Sequence, residues 1–71
     1  MASDREIGDW ERVADSMVAI IHKESSAAVA AKNRGDEAAR RGHSALAQAA
    51  TQRFMRHMKK RPAGAKVPKI K

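Results

Sequence analysis

The chain contains no cysteine and no tyrosine, and only one tryptophan, one phenylalanine and two prolines among its 71 residues. Without cysteine, neither a disulfide nor a thiolate metal site can add stability. With Trp10 and Phe54 as the whole aromatic complement, a platform of stacking rings for unpaired bases is not expected. The longest apolar run, Met17 to Ile21 (MVAII), is far shorter than the roughly 20 residues of a membrane span. The first residues are acidic and show no basic segment followed by an apolar one, so a secretory signal is not expected. These absences point to a cytoplasmic or virion-internal protein, with a membrane an unlikely partner.

Strong helix formers are plentiful: Ala, Arg and Lys above all, with Glu, Met and Gln beside them. Ser3 and Glu6 in SDRE have the spacing of a capping box, and Asp4, Glu6 and Asp9 suit the positive end of a helix dipole. From Ile7 onward apolar residues recur at heptad-like intervals: Ile7, Trp10, Ala14, Met17, Ile21, Ala28 and Ala31. Glu24 is the one polar residue in that series. The stretch KNRGD should end this helix. Asn33 and Gly35 are the residues best able to turn left-handed, and Asp36 can cap a second helix. Its apolar stripe is Ala39, Leu46, Ala50, Phe54 and Met58, and Pro62 should stop it. Gly42 inside it invites a close approach by another helix.

The expected fold is therefore all-α. It is an antiparallel two-helix hairpin, about 3–33 and 36–61, followed by an extended basic tail, 62–71 (PAGAKVPKIK). The competing reading is one continuous helix through Gly35. In the hairpin, residues whose numbers sum to about 68 lie level, which sets Trp10 by Met58, Ala14 by Phe54 and His43 almost level with Glu24. Glu24 and His43 thus become a candidate buried polar pair that fixes register, with a pH-sensitive latch as the functional variant.

The apolar arc of helix 1 is wider than one neighbour can cover. Trp10, Val13, Met17, Val18 and Ile20 are the candidate interface for a homo-oligomer, with a coiled-coil four-helix bundle the simplest form, or for a larger assembly. The tail, with two prolines and a glycine, is expected to need such a partner to become ordered.

No catalytic constellation is evident. His43 and His57 are fourteen residues apart on one helix, about 21 Å at 1.5 Å per residue. No HExxH pattern and no phosphate-binding glycine loop occurs. Ser44 beside His43 is mere adjacency, since neighbours in a helix do not face each other. A non-enzymatic protein with no metal and no cofactor is expected.

What remains is charge. Residues 1–35 hold six acids against five Lys/Arg, and residues 36–71 hold two against ten, out of a net charge of +7. Such asymmetry suggests an acidic partner. Part of the positive charge could match helix 1, with Asp15 level with Arg53 and Asp9 with Lys59. The remainder falls on the outer face of helix 2. Arg41, Gln48, Gln52, Arg56 and Lys59 form a strip about 27 Å long, extended by Lys66, Lys69 and Lys71 in the tail. These eight are the candidate contacts to nucleic acid, bound without sequence preference. The alternative is a protein–protein adaptor or structural subunit, of virion, mobile-element or ribonucleoprotein type, that packs through helix 1 without touching nucleic acid.

Overall fold

A computed structural model describes residues 2–69, and Lys71 lies outside them. It contains two helices, α1 (Asp4–Arg34) and α2 (Glu37–Met58), paired into a hairpin about 50 Å long. No helix among the described residues is long and apolar enough to cross a membrane.

The caps explain where the helices begin and end. The Ser3 hydroxyl accepts a hydrogen bond from the Glu6 N–H at 3.2 Å, satisfying one of the donors a helix start leaves unpaired. At the other end Gly35 takes φ 77°. Its N–H donates to the Lys32 carbonyl, and the Asp36 N–H reaches back to the Ala31 carbonyl. This pair of bonds closes a helix through a left-handed residue, a geometry glycine adopts without steric cost. The next carboxylate is used at once, because Asp36 Oδ1 accepts from the Ala39 N–H at 3.1 Å and starts α2. One short segment thus ends a helix, reverses the chain and begins another, which rules out the continuous helix. Helix α2 stops three residues short of the expected Arg61. Its last turn tightens instead, as Lys60 and Arg61 donate to the carbonyls of His57 and Met58 before Pro62, which disfavours a helical residue ahead of it.

The core is small-by-large. Trp10, Ala14, Ile21, Ala50 and Phe54 are buried together, with Ile7, Met17, Val18 and Met58 packed around them. Ala31 is fully buried near the turn. Ala65 belongs to the same cluster at 5% exposure, although it lies in the tail. The chain turns at 62–65, where the Ala65 N–H donates to the Pro62 carbonyl at 3.1 Å and Gly64 takes φ 89°. A methyl group on Gly64 would sit 3.7 Å from Ile7 Cδ1. The Lys66 N–H then donates to Glu11 Oε2 at 2.7 Å.

Three expectations are corrected here. The coiled-coil four-helix bundle is not what the chain builds: the described residues form two helices, and the third contributor to the core is the tail. The described part of the tail is not a free extended segment: Ala65 packs into the core and the Lys66 N–H bonds Glu11 of helix α1. Gly42 has open space where a side chain would stand, so no close helix approach within the hairpin requires it.

Candidate functional site

Two polar contacts set the register of the hairpin. His43 Nδ1–H donates to Glu24 Oε2 at 3.0 Å, with the Glu24 side chain 12% and the His43 side chain 37% exposed. Trp10 Nε1–H donates to the His57 carbonyl at 3.0 Å, and His57 Nε2–H donates to the Trp10 carbonyl at 3.0 Å. The two rings stack with centroids 4.6 Å apart and planes 8° from parallel. In both pairs the residue numbers sum to 67, one less than the expected 68. A carboxylate this far removed from water is costly without its donor. Glu24→Ala is therefore expected to lower stability by about 1 kcal/mol, or about 4–8 °C in melting temperature. A thermal melt followed by circular dichroism checks this, and an unchanged midpoint would remove the pair from the stabilising contacts.

The expected interface residues separate in the structure. Trp10 is in the core at 7% exposure, while Val13 and Ile20 are 44% and 49% exposed. Met17 and Val18 are half-buried against the core. At about 100° per residue, Ile7, Glu11, Asp15 and Val18 fall on one flank of α1, and Val13, Met17, Ile20 and Glu24 on the other. The tail takes the first flank, where Lys66, Val67 and Pro68 line a hollow with Glu11 and Asp15. The second flank is open. There Met17, Ile20 and Glu24 of α1 meet Leu46, Ala49, Ala50 and Arg53 of α2 around a cavity of about 360 Å³, and Leu46 is 55% exposed.

The candidate nucleic-acid contacts also divide. Gln48, Gln52, Arg56 and Lys59 are exposed on α2 and its last turn. Arg41 is exposed, but its Nε–H donates to Glu37 Oε1 at 3.2 Å. Arg40 pairs with the same carboxylate. Hydrogen bonds and charge from Arg40, seconded by Arg41, hold the Glu37 carboxyl below its ordinary pKa. This acid at the start of α2 therefore stays ionised and occupies two guanidinium groups. Lys66 and Lys69 are exposed in the tail, with Lys66 close to acids of α1.

The expected matching of Asp15 with Arg53 and Asp9 with Lys59 does not occur. Asp9 pairs with Arg12, and Glu11 is taken by a tail amide. None of the described carboxylates lies within 4 Å of Arg53, Arg56, Lys59, Lys60 or Arg61. The structure also brings Arg53 and Lys60, which are not among the expected contacts, together with Arg56, which is. Arg53, Arg56 and Lys60 line one shallow cavity of about 240 Å³ with Met17 and His57. Their i, i+3, i+7 spacing was a usable signal, since it places three cations within about 60° on a helix. It was hidden because Arg53 and Lys60 border the apolar stripe and read as its edge.

No family model matches this chain, and no similar curated protein or solved structure was detected.

Proposed function

We propose that this protein is a non-catalytic helical hairpin that binds the phosphate backbone of nucleic acid through the end of α2 and the turn that follows it, without reading base sequence. The observation that carries this reading is the run of five exposed cations from Arg53 to Arg61 with no carboxylate within 4 Å among the described residues. Uncompensated cations release counterions from a phosphate backbone when they bind it. Exposed amides at Gln48 and Gln52 can add hydrogen bonds to phosphate or sugar oxygens. Lys66 and Lys69 extend the positive surface more weakly, because acids of α1 stand beside Lys66.

The expected behaviour is steep salt dependence. With about four phosphates neutralised, affinity for a random duplex falls by roughly 10²–10³ between 50 and 300 mM salt. Fluorescence anisotropy with a labelled duplex of about 20 base pairs measures it, and Arg56→Glu with Lys59→Glu should remove most of the binding. Affinity that is absent at 50 mM salt, or does not change with salt, rejects the reading.

One observation favours a second reading. The open flank carries Ile20 at 49% and Leu46 at 55% exposure beside a cavity of about 360 Å³, so the hairpin could serve instead as an adaptor that packs against another protein. In that case Leu46→Glu abolishes partner binding, while the Arg56/Lys59 double variant leaves it intact.

A further inference from the structure

We infer that Arg53, Arg56 and Lys60 form a seat for a single phosphate group, occupied by one phosphate of a nucleic-acid backbone. This rests on the phosphate-backbone reading and refines it: binding has a fixed anchor at the end of the open flank, with the outer strip supplying diffuse attraction around it.

Three observations converge. The first is convergence of the cations themselves. All three line one shallow cavity of about 240 Å³, large enough for a tetrahedral oxyanion, and two are guanidinium groups, which suit phosphate oxygens through paired N–H donors.

The second is the fixed backbone beneath them. Trp10 and His57 exchange hydrogen bonds and stack face to face, which holds the last turn of α2 against α1. An anchored turn carries side chains that lose less freedom on binding.

The third is the local field. The carbonyl end of a helix ordinarily repels anions. Here the His57 carbonyl accepts from both Trp10 and Lys60, and the Met58 carbonyl accepts from Arg61. The last two carbonyls of α2 are thus covered by N–H groups, which weakens their repulsion of an anion. Of the nearby acids, Glu11 and Asp15 lie on the opposite flank with the tail, and Glu24, which shares the open flank with Arg53, is engaged by His43.

The test compares single neutralisations of equal charge in the full chain. Arg53→Gln and Lys60→Gln are each expected to weaken duplex binding by about 5- to 10-fold at 100 mM salt and to lower the salt slope by about one. Arg5→Gln and Lys23→Gln, on exposed parts of α1 away from the seat, should change it less than twofold. Circular dichroism confirms that each variant is folded. If Arg53→Gln and Lys60→Gln behave like the controls while the wild-type chain binds duplex, the seat is overturned and the broader reading survives. If the wild-type chain fails to bind duplex at 50 mM salt, the broader reading falls with its occupant. Titration with inorganic phosphate, followed by the Arg Nε–H resonances, then decides the seat alone. Saturable shifts at Arg53 and Arg56 that vanish in Lys60→Gln keep it, and uniform, non-saturating shifts overturn it.

Discussion

Replacing Trp10 with alanine is expected to cost about 3–5 kcal/mol and to abolish most of the helical signal in circular dichroism. A chain of this length has a total stability of only about 3–10 kcal/mol, so one large core residue is a substantial share of it. Trp10 is the largest side chain in the core and is 7% exposed. Its removal also strips the His57 carbonyl of a donor and the His57 ring of its stacking partner. The gap is not easily filled, because three of the other five buried residues in the cluster are alanines, Ala14, Ala50 and Ala65. Trp10→Phe separates the contributions. It keeps an aromatic ring near His57 but has no N–H to donate, and about 1–2 kcal/mol of loss is expected for the missing hydrogen bond and smaller volume. A Trp10→Ala chain that melts within a few degrees of the wild type would mean that the Trp10–His57 contact does not hold the two helix ends together.

Ending the chain after Arg61 is expected to lower stability by about 2 kcal/mol and the melting temperature by roughly 8–16 °C. The tail contributes Ala65 to the core and covers part of Ile7. Exposing that apolar surface accounts for most of the loss at about 25 cal/mol per Å². The hydrogen bond from the Lys66 N–H to Glu11 accounts for about 0.5–1 kcal/mol more. Lys66→Gln with Lys69→Gln in the full chain is the matching control, since it removes the exposed charges but leaves Ala65 in place. That variant should melt near the wild-type temperature. If truncation and neutralisation have the same effect on melting, the tail acts by charge and not by packing. The comparison also governs how nucleic-acid binding is tested. Truncation alters the fold and the charge together, so loss of binding on truncation would not identify a phosphate contact.

The turn was the most legible part of the fold. Asn33, Gly35 and Asp36 left few ways for the chain to pass between helices, and the observed termini lie within one residue of the expected ones on both sides of it. The reason is that caps are local: a left-handed glycine and a carboxylate beside the first N–H groups act within a few residues. The register was legible for a related reason. Once the turn is placed, the antiparallel pairing follows, and Glu24 meets His43 within one residue of the expected level. The end of α2 was less legible, because the chain leaves the helix in a tightened turn at Lys60 and Arg61 whose His57 carbonyl also accepts from Trp10, a residue distant in the sequence.

The candidate site was legible only in its outer part. Arg56, Lys59, Gln48 and Gln52 could be assigned to the solvent face from helical periodicity alone. Arg53 and Lys60 could not, because a cation at the edge of an apolar stripe can snorkel past a neighbour or pair with it. Which one happens depends on the flank the tail occupies. The same holds for the acids of α1 expected to neutralise the basic end of α2: Asp15 instead lies beside the tail, and Asp9 pairs with Arg12.

By itself, then, the amino-acid sequence determined two helices, the turn between them, their antiparallel register and the excess of positive charge in the second half. All of these depend on interactions between residues close in the chain or made level by one turn. Only the tertiary structure decided where residues 62–69 go, and with them which apolar flank is covered and which cations are left without a carboxylate. A segment with two prolines and a glycine has no periodicity to reveal its destination. Its placement depends on whether a small residue at position 65 fits the space beside Ile7 and Trp10, and that space exists only once the helices have packed.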